Sequence, residues 1–173
     1  LIAGAEQQPG IEAIRPELGV RRYLVTEADG IPAGWESYEQ AVTDTAPLSA
    51  PDAVRPEELS IIMYTSGTTG TPKGVMLSHA NLWWSDIALM SMIDIHADDV
   101  TLAFSPLFHI AGLNFMIGIT WMRGGEVILH RSFDAQRTLD DIARHRVNTL
   151  FGVPAMFIAI SQLPGFADAD LTT

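Results

Sequence analysis

The chain has 173 residues, is 47% hydrophobic, carries a formal net charge of −11 and contains no cysteine. That composition excludes a disordered tail, a collagen-like repeat, a disulfide-stapled module and a thiolate metal site. Residues 1–60 hold eleven acids against four bases and residues 61–173 ten against six, so neither half offers the basic field that nucleic acid requires.

In chain order, the opening LIAGAEQQPG reads as neither a signal peptide nor a natural start, and the lack of cysteine fits a cytoplasmic protein. Residues 1–19 are weakly specified. RRYLV (21–25) predicts a short strand and GWESYEQAV (34–42) a short helix, and the Pro- and Ala-rich stretch 45–59 a surface connector. LSIIMYT (59–65) is a continuous apolar run of strand length that predicts a buried strand, with KGVMLS (73–78) returning as a second. Ser78 is the expected N-cap of a helix to about Met92. VTLAF (100–104) predicts a strand, SPLFHIAG a loop, and the residues up to about Met122 a helix that Gly124–Gly125 stop. EVILH (126–130) predicts a strand, Asp134 to Arg146 an amphipathic helix, NTLFG (148–152) a strand, and Pro154 the first turn of a last helix. Strands alternating with helices predict an α/β fold with a largely parallel sheet. Val100 to Met122 has no formal charge, yet the change of pattern at Ser105–Pro106 argues for strand, loop and helix rather than a membrane span.

The chemistry is concentrated in YTSGTTGTPKG (64–74). Glycines let a backbone approach an anion, and N–H groups with hydroxyls can cradle phosphate oxygens. Lys73, the sole lysine of the chain, adds a mobile positive charge. Walker A and GxGxxG patterns are both excluded by the spacing. On the residues alone, a hairpin tip built from turn formers remains an equal reading.

The longer segment YTSGTTGTPKGVMLSHANL (64–82) resembles the phosphate-binding signature of the adenylate-forming superfamily: acyl-CoA synthetases, luciferases and peptide-synthetase adenylation domains. SPLFHIAGLN (105–114) resembles its second core motif and FGVPAMF (151–157) its later GVP segment. The likeness runs collinearly over about residues 59–173. It implies a two-step ligase in which a carboxylate, most like that of a fatty acid, attacks the α-phosphate of ATP to give acyl-AMP and pyrophosphate, after which coenzyme A takes the acyl group. Mg²⁺ would accompany ATP. Thr65, Ser66, Thr68 and Thr69 would hydrogen-bond the phosphates, Gly67 and Gly70 would permit the loop's approach, and Lys73 would steady the phosphates or the closed loop. His109, which spacing alone reads as a satisfied core histidine, would lie where acyl group and thiol meet, with Gly112 leaving room for them.

Other features read as structural. His79 is expected near a helix start and His96 in a polar turn. His130 and His145 lack metal-ligand spacing, so no metal site is expected. The acid pairs 98–99 and 140–141 read as solvated, Arg144 and Arg146 as favourable charges at a helix C-terminus, and packing is expected to explain at least one of Trp83 and Trp84. The superfamily's YGxTE-like and TGD-like motifs, hinge and second catalytic lysine are not in these residues, so no complete catalytic set is expected. The expectation is a partial N-terminal domain, 1–58 as leading segment and connector and 59–173 as AMP-binding core without a C-terminal domain. The parent would be about 500 residues long. Expected partners are small molecules and, through uncovered sheet edges, a second copy, with no transmembrane segment. A stand-alone nucleotide-binding or interaction module, or an adenylation domain for an aryl or amino acid, is the alternative.

Overall fold

A computed structural model describes residues 1–67 and 70–172. They form two compact units, Leu1–Ala53 and a second that starts at Val54.

In the first unit β1 (Ile2–Gly4), β2 (Leu24–Thr26) and β3 (Glu36–Ser37) make a parallel sheet in that order, with α1 (Gln8–Ile14) and α2 (Tyr38–Asp44) alongside in sequence. Its small core is Tyr23, Val25 and Trp35. The Tyr23 and Trp35 rings meet edge to face at 5.4 Å, and the Arg15 guanidinium lies 4.1 Å above the Tyr23 ring. The Trp35 indole and Arg15 both donate to Glu12 Oε1 at 2.6 Å, and these bonds, Trp35's first, hold the Glu12 carboxyl below its ordinary value. The segment expected to be weakly specified thus carries a strand and a helix. The expected strand at 21–25 is shorter and later, and the helix starts only at Tyr38. Ser37 caps it, accepting the Gln40 N–H.

The second unit opens with an antiparallel ribbon of β4 (Leu59–Thr65) and β5 (Lys73–Ser78), in register from Ile61↔Leu77 to Thr65↔Lys73. The ribbon is where expected, but β4 is not a buried strand: Ile62 is 50% and Tyr64 74% exposed. Ile61 and Met63 on one face are half-buried, while Ile62 and Tyr64 on the other have no layer over them. α3 (His79–Met90) follows directly, begun by a capping box in which Ser78 accepts from Asn81 N–H and Asn81 accepts from Ser78 N–H.

A parallel sheet of β6 (Val100–Ala103), β7 (Glu126–Leu129) and β8 (Thr149–Leu150), ordered β7-β6-β8, organises the rest. Leu102, Phe104, Ile142 and Val147 form its core against α5 (Ala135–His145), and Ile95, Met116 and Ile119 form a second cluster. The expected helix before Gly124 is two things: a π-helical segment, Ala111–Gly118, and then α4 (Ile119–Arg123). Gly124 ends it with φ 86°, a left-handed conformation that costs glycine nothing. α6 (Pro154–Ser161) starts with proline in its first turn. The molecule is therefore α/β with parallel sheets, as expected, plus one antiparallel ribbon. Among the described residues no helix is long and apolar enough to cross a membrane, and Val100 to Met122 divides into strand, loop and helix.

Two expectations about polar and aromatic residues are corrected. Asp99 and Asp141 are not solvated: both are buried. Asp99 accepts from His96 N–H at 2.7 Å and from the Asn148 amide at 2.6 Å, tying the entry of β6 to the entry of β8. Asp141 on α5 lies 2.8 Å from Nε2 of buried His130, just past β7, with Arg144 at 3.2 Å. Trp83 and Trp84 are both more than half exposed, so packing buries neither.

Burial alone would raise the Asp141 carboxyl, but the His130 hydrogen bond and the charges of Arg144, His130 and His145 outweigh it and hold it low. A carboxyl depressed on folding stabilises above its unfolded value, about 3.9, and that contribution disappears as pH falls through the lower folded value. Asp141→Ala should therefore cost about 3 kcal/mol at pH 7. The gap to wild type should narrow below about pH 4, as urea unfolding at pH 7 and pH 3 would measure.

Candidate functional site

The Gly/Thr-rich segment sits at the open end of the ribbon, between the last paired residues Thr65 and Lys73. Gly67 has φ 61° and Gly70 φ 81°. A Cβ on Gly67 would stand 2.6 Å from the Thr71 carbonyl oxygen, whereas one on Gly70 would meet open space. The loop closes on itself at Gly67 and is accessible at Gly70. Thr65, Ser66, Gly70 and Lys73 are exposed, and among the described residues no carboxylate pairs with Lys73. Thr68 and Thr69, also expected to hold phosphate, lie outside the described residues.

Hydroxyls, left-handed glycines and an uncompensated ammonium fit a polyphosphate. A divalent cation finds less: among the described residues no group of three or more His, Asp or Glu side chains could hold one.

His109 and Gly112 belong to a different part of the second unit. The chain leaves β6 through buried Phe104 and turns at Ser105–Ile110. His109 N–H donates to the Pro106 carbonyl at 3.0 Å, and the N–H groups of Gly112 and Leu113 donate to the His109 carbonyl at 2.9 and 3.3 Å. His109 is exposed, not a core histidine, and its Nδ1 accepts from Ala111 N–H at 3.1 Å. A Cβ on Gly112 would fall 2.1 Å from the Pro106 carbonyl oxygen and 2.9 Å from that of Ser105. Backbone fills that space, so glycine is required there for the turn itself.

The GVP segment follows β8, so it and the His109 turn both leave the carboxyl ends of neighbouring parallel strands, the edge where α/β sheets bind ligands. Phe115 of the π-helical segment and Phe151 join them, with ring centroids 4.8 Å apart. Among the described residues no hydrogen bond or ion pair links the loop at 65–73 to His109 or Gly112. Sequence reasoning missed the Phe115–Phe151 pair and two buried acceptors, Asn114 Oδ1 and Asp86 Oδ1, that no donor among the described residues reaches. Burial lifts the Asp86 carboxyl above its ordinary value. Asn114 closes the SPLFHIAGLN segment, but its spacing does not announce a buried acceptor, and Asp86 belongs to no motif.

Gly112→Ala should destabilise the chain by about 1–3 kcal/mol through overpacking against fixed backbone. Gly70→Ala, strained in φ but unobstructed, should cost about 1 kcal/mol. Thermal unfolding of the two variants, with amide shifts mapped over residues 105–113, would check both.

Residues 1–173 match the family described as AMP-binding enzyme. Feruloyl-CoA synthase of Amycolatopsis sp is 39% identical over 143 residues, covering 83% of this chain and 28% of that protein. The inhibitor-bound N-terminal domain of FACL13 from Mycobacterium tuberculosis superposes with a TM-score of 0.82 at 31% identity, over 98% of this chain and 41% of that one. The fatty acyl CoA synthetase of Mycobacterium tuberculosis gives 0.84 at 30% identity, over 99% of this chain and 32% of that one. The chain thus spans less than a third of the curated relative's length. The pattern match over its whole length, the collinear motifs and the shared fold agree: the chain belongs to the AMP-binding enzyme family, the adenylate-forming enzymes.

Proposed function

We propose that this chain is part of an ATP-dependent acid–thiol ligase that activates a carboxylic acid as acyl-AMP and passes the acyl group to coenzyme A. The observation that supports this reading is the ribbon tip, where left-handed Gly67 and Gly70 stand with exposed hydroxyls and a Lys73 that, among the described residues, pairs with no carboxylate. In this reading residues 59–173 are the nucleotide-binding core and 1–58 its leading segment.

ATP would supply the electrophilic α-phosphorus and the pyrophosphate leaving group, and Mg²⁺ bound with it would offset phosphate charge. The protein's contribution is positioning and charge neutralisation. Thr65, Ser66, Thr68 and Thr69 hydrogen-bond the β- and γ-phosphates, Gly67 and Gly70 let the backbone close on them, and Lys73 balances their charge. His109, on the turn that Gly112 holds, serves the acyl and thiol end. The aromatic pair Phe115–Phe151 beside that turn, together with the likeness to a feruloyl-CoA synthase, supports an aryl acid. A fatty acid is the second reading, favoured by the structural likeness to a fatty acyl CoA synthetase. The exposed Ile62, Tyr64 and Met76 of the ribbon support self-association of the isolated chain.

The isolated chain should form neither acyl-AMP nor acyl-CoA, because its one lysine is committed to the loop. A chimera in which it replaces the matching segment of the Amycolatopsis enzyme should restore both steps. In that chimera Lys73→Ala should slow ATP–pyrophosphate exchange about 5- to 150-fold, the effect of losing 1–3 kcal/mol of transition-state binding, with little change in KM for the acid. His109→Ala should instead impair acid or thiol use. A chimera that binds ATP without exchange would leave only a nucleotide-binding module. Comparing ferulate with a C12 fatty acid would decide between the substrate classes.

A further inference from the structure

α3 inverts the usual order of a surface helix. Of its twelve residues, HANLWWSDIALM, the one that is buried is Asp86, 7% exposed, while Trp83 and Trp84 stand more than half exposed. Asp86 is also the only Asp, Glu, Lys or Arg of the helix. Its Oδ1 is sealed from solvent, no donor among the described residues reaches it, and burial raises the carboxyl above its ordinary value. Gly118 makes room for it, since a Cβ there would stand 3.2 Å from Asp86 Oδ2. A buried carboxylate that nothing compensates is costly, so a carboxyl kept in this place calls for a donor from outside the chain.

The carboxyl has an open side. With Val54, Pro56, His79, Leu82 and Trp83 it lines a cavity of about 560 Å³, within the range of small-molecule sites. Positions 79, 82, 83 and 86 recur at helical spacing and share one face of α3. The other wall is fastened to the start of the helix: Ala80 N–H donates to the Pro56 carbonyl at 2.8 Å and His79 N–H to the Glu58 carbonyl at 3.1 Å. No Lys or Arg lines the cavity, so its walls offer apolar surface, indole rings and one carboxylate, with no cation of their own. We propose that this cavity binds a small organic ammonium ion, with Asp86 as its counter-charge and Trp83 and the apolar wall holding its stem. A primary ammonium brings both the N–H donors and the charge that the carboxyl lacks, and an indole attracts cations to its face. A metal ion fits poorly, because it needs several oxygen or nitrogen ligands and among the described residues no group of three His, Asp or Glu could supply them. The site is independent of the ligase reading: none of its residues belongs to the ribbon tip or to the His109 turn.

Phenethylammonium is a suitable probe, and 2-phenylethanol, which keeps the stem and lacks the charge, its control. Titrated into the ¹⁵N-labelled chain, the amine should shift the indole N–H signals of Trp83 and Trp84 and the amides of residues 79–86, and the alcohol should bind at least about tenfold more weakly. Asp86→Asn keeps the shape and removes the charge. It should weaken amine binding about 10- to 150-fold, the loss of one hydrogen bond to a charged group, and leave the alcohol unchanged. Trp83→Ala should weaken amine binding about 2- to 30-fold. The amine should also raise the thermal midpoint of the unaltered chain and not that of Asp86→Asn. Equal binding of amine and alcohol by the unaltered chain, a comparison that needs no variant, would overturn the site. Equal amine binding by Asp86→Asn, or no shift by about 10 mM amine, would do the same and leave Asp86 a merely protonated acid.

Discussion

The close approach of Gly112 to the Pro106 carbonyl is the constraint on which the turn at the carboxyl end of β6 depends. β6 is paired on both sides, by β7 and β8, so its carboxyl end is rigid, and the chain must turn sharply there to start the next helical segment. Any side chain at Gly112 would occupy the place of that carbonyl oxygen. Because the approach is allowed, the His109 carbonyl gathers two N–H groups and Ala111 N–H is left for the ring. The π-helical winding of Ala111–Gly118 is of a kind found mainly as short insertions at functional sites. It rejoins regular helix at Ile119, and Thr120 is then pinned by its hydroxyl to the Met116 carbonyl and to Thr101 of β6, both at 2.7 Å.

The same sheet is fixed from below and behind by buried polar contacts. Asp99 joins the entries of β6 and β8 through Asn148, and Asp141 joins α5 to the residue after β7 through His130. Each carboxylate is a costly group to bury, and each is compensated by donors from a different element. They therefore fix where elements lie relative to one another more narrowly than apolar packing alone would, and the edge that carries His109 and Phe151 inherits that definition.

What the sequence made legible follows the range of the interactions. Ser78, Gly124 and Pro154 are signals read within one turn of the residue, and the structure uses each as expected; the Asn81 half of the capping box and the Asp134 cap are local too but were not foreseen. The ribbon was legible because two apolar runs flank a segment that can form neither helix nor sheet. Asp99 and Asp141 were misread because the partners that compensate them lie 49 and 11 residues away, where local polarity carries no information. The π-helical start of the fourth helix was invisible for a related reason: apolar spacing reports that a segment is buried, not how tightly it winds. β1 and α1 rest on a few small and aliphatic side chains packed around Trp35, too few to form a period.

The net charge of −11 looks ill suited to a triphosphate until its distribution is considered. Between Glu58 and Asp86, Lys73 is the only residue with a formal charge. β4 spans seven residues, so Glu58 lies about 20 Å along the strand from the tip, well beyond the screening length of about 8 Å at physiological ionic strength. In the proposed reading, a phosphate group at the tip would meet one ammonium and local N–H dipoles, with Glu58 screened from it. Under that reading the low local charge density of the hairpin, and not a basic surface, is what would let one lysine and two left-handed glycines serve an anion.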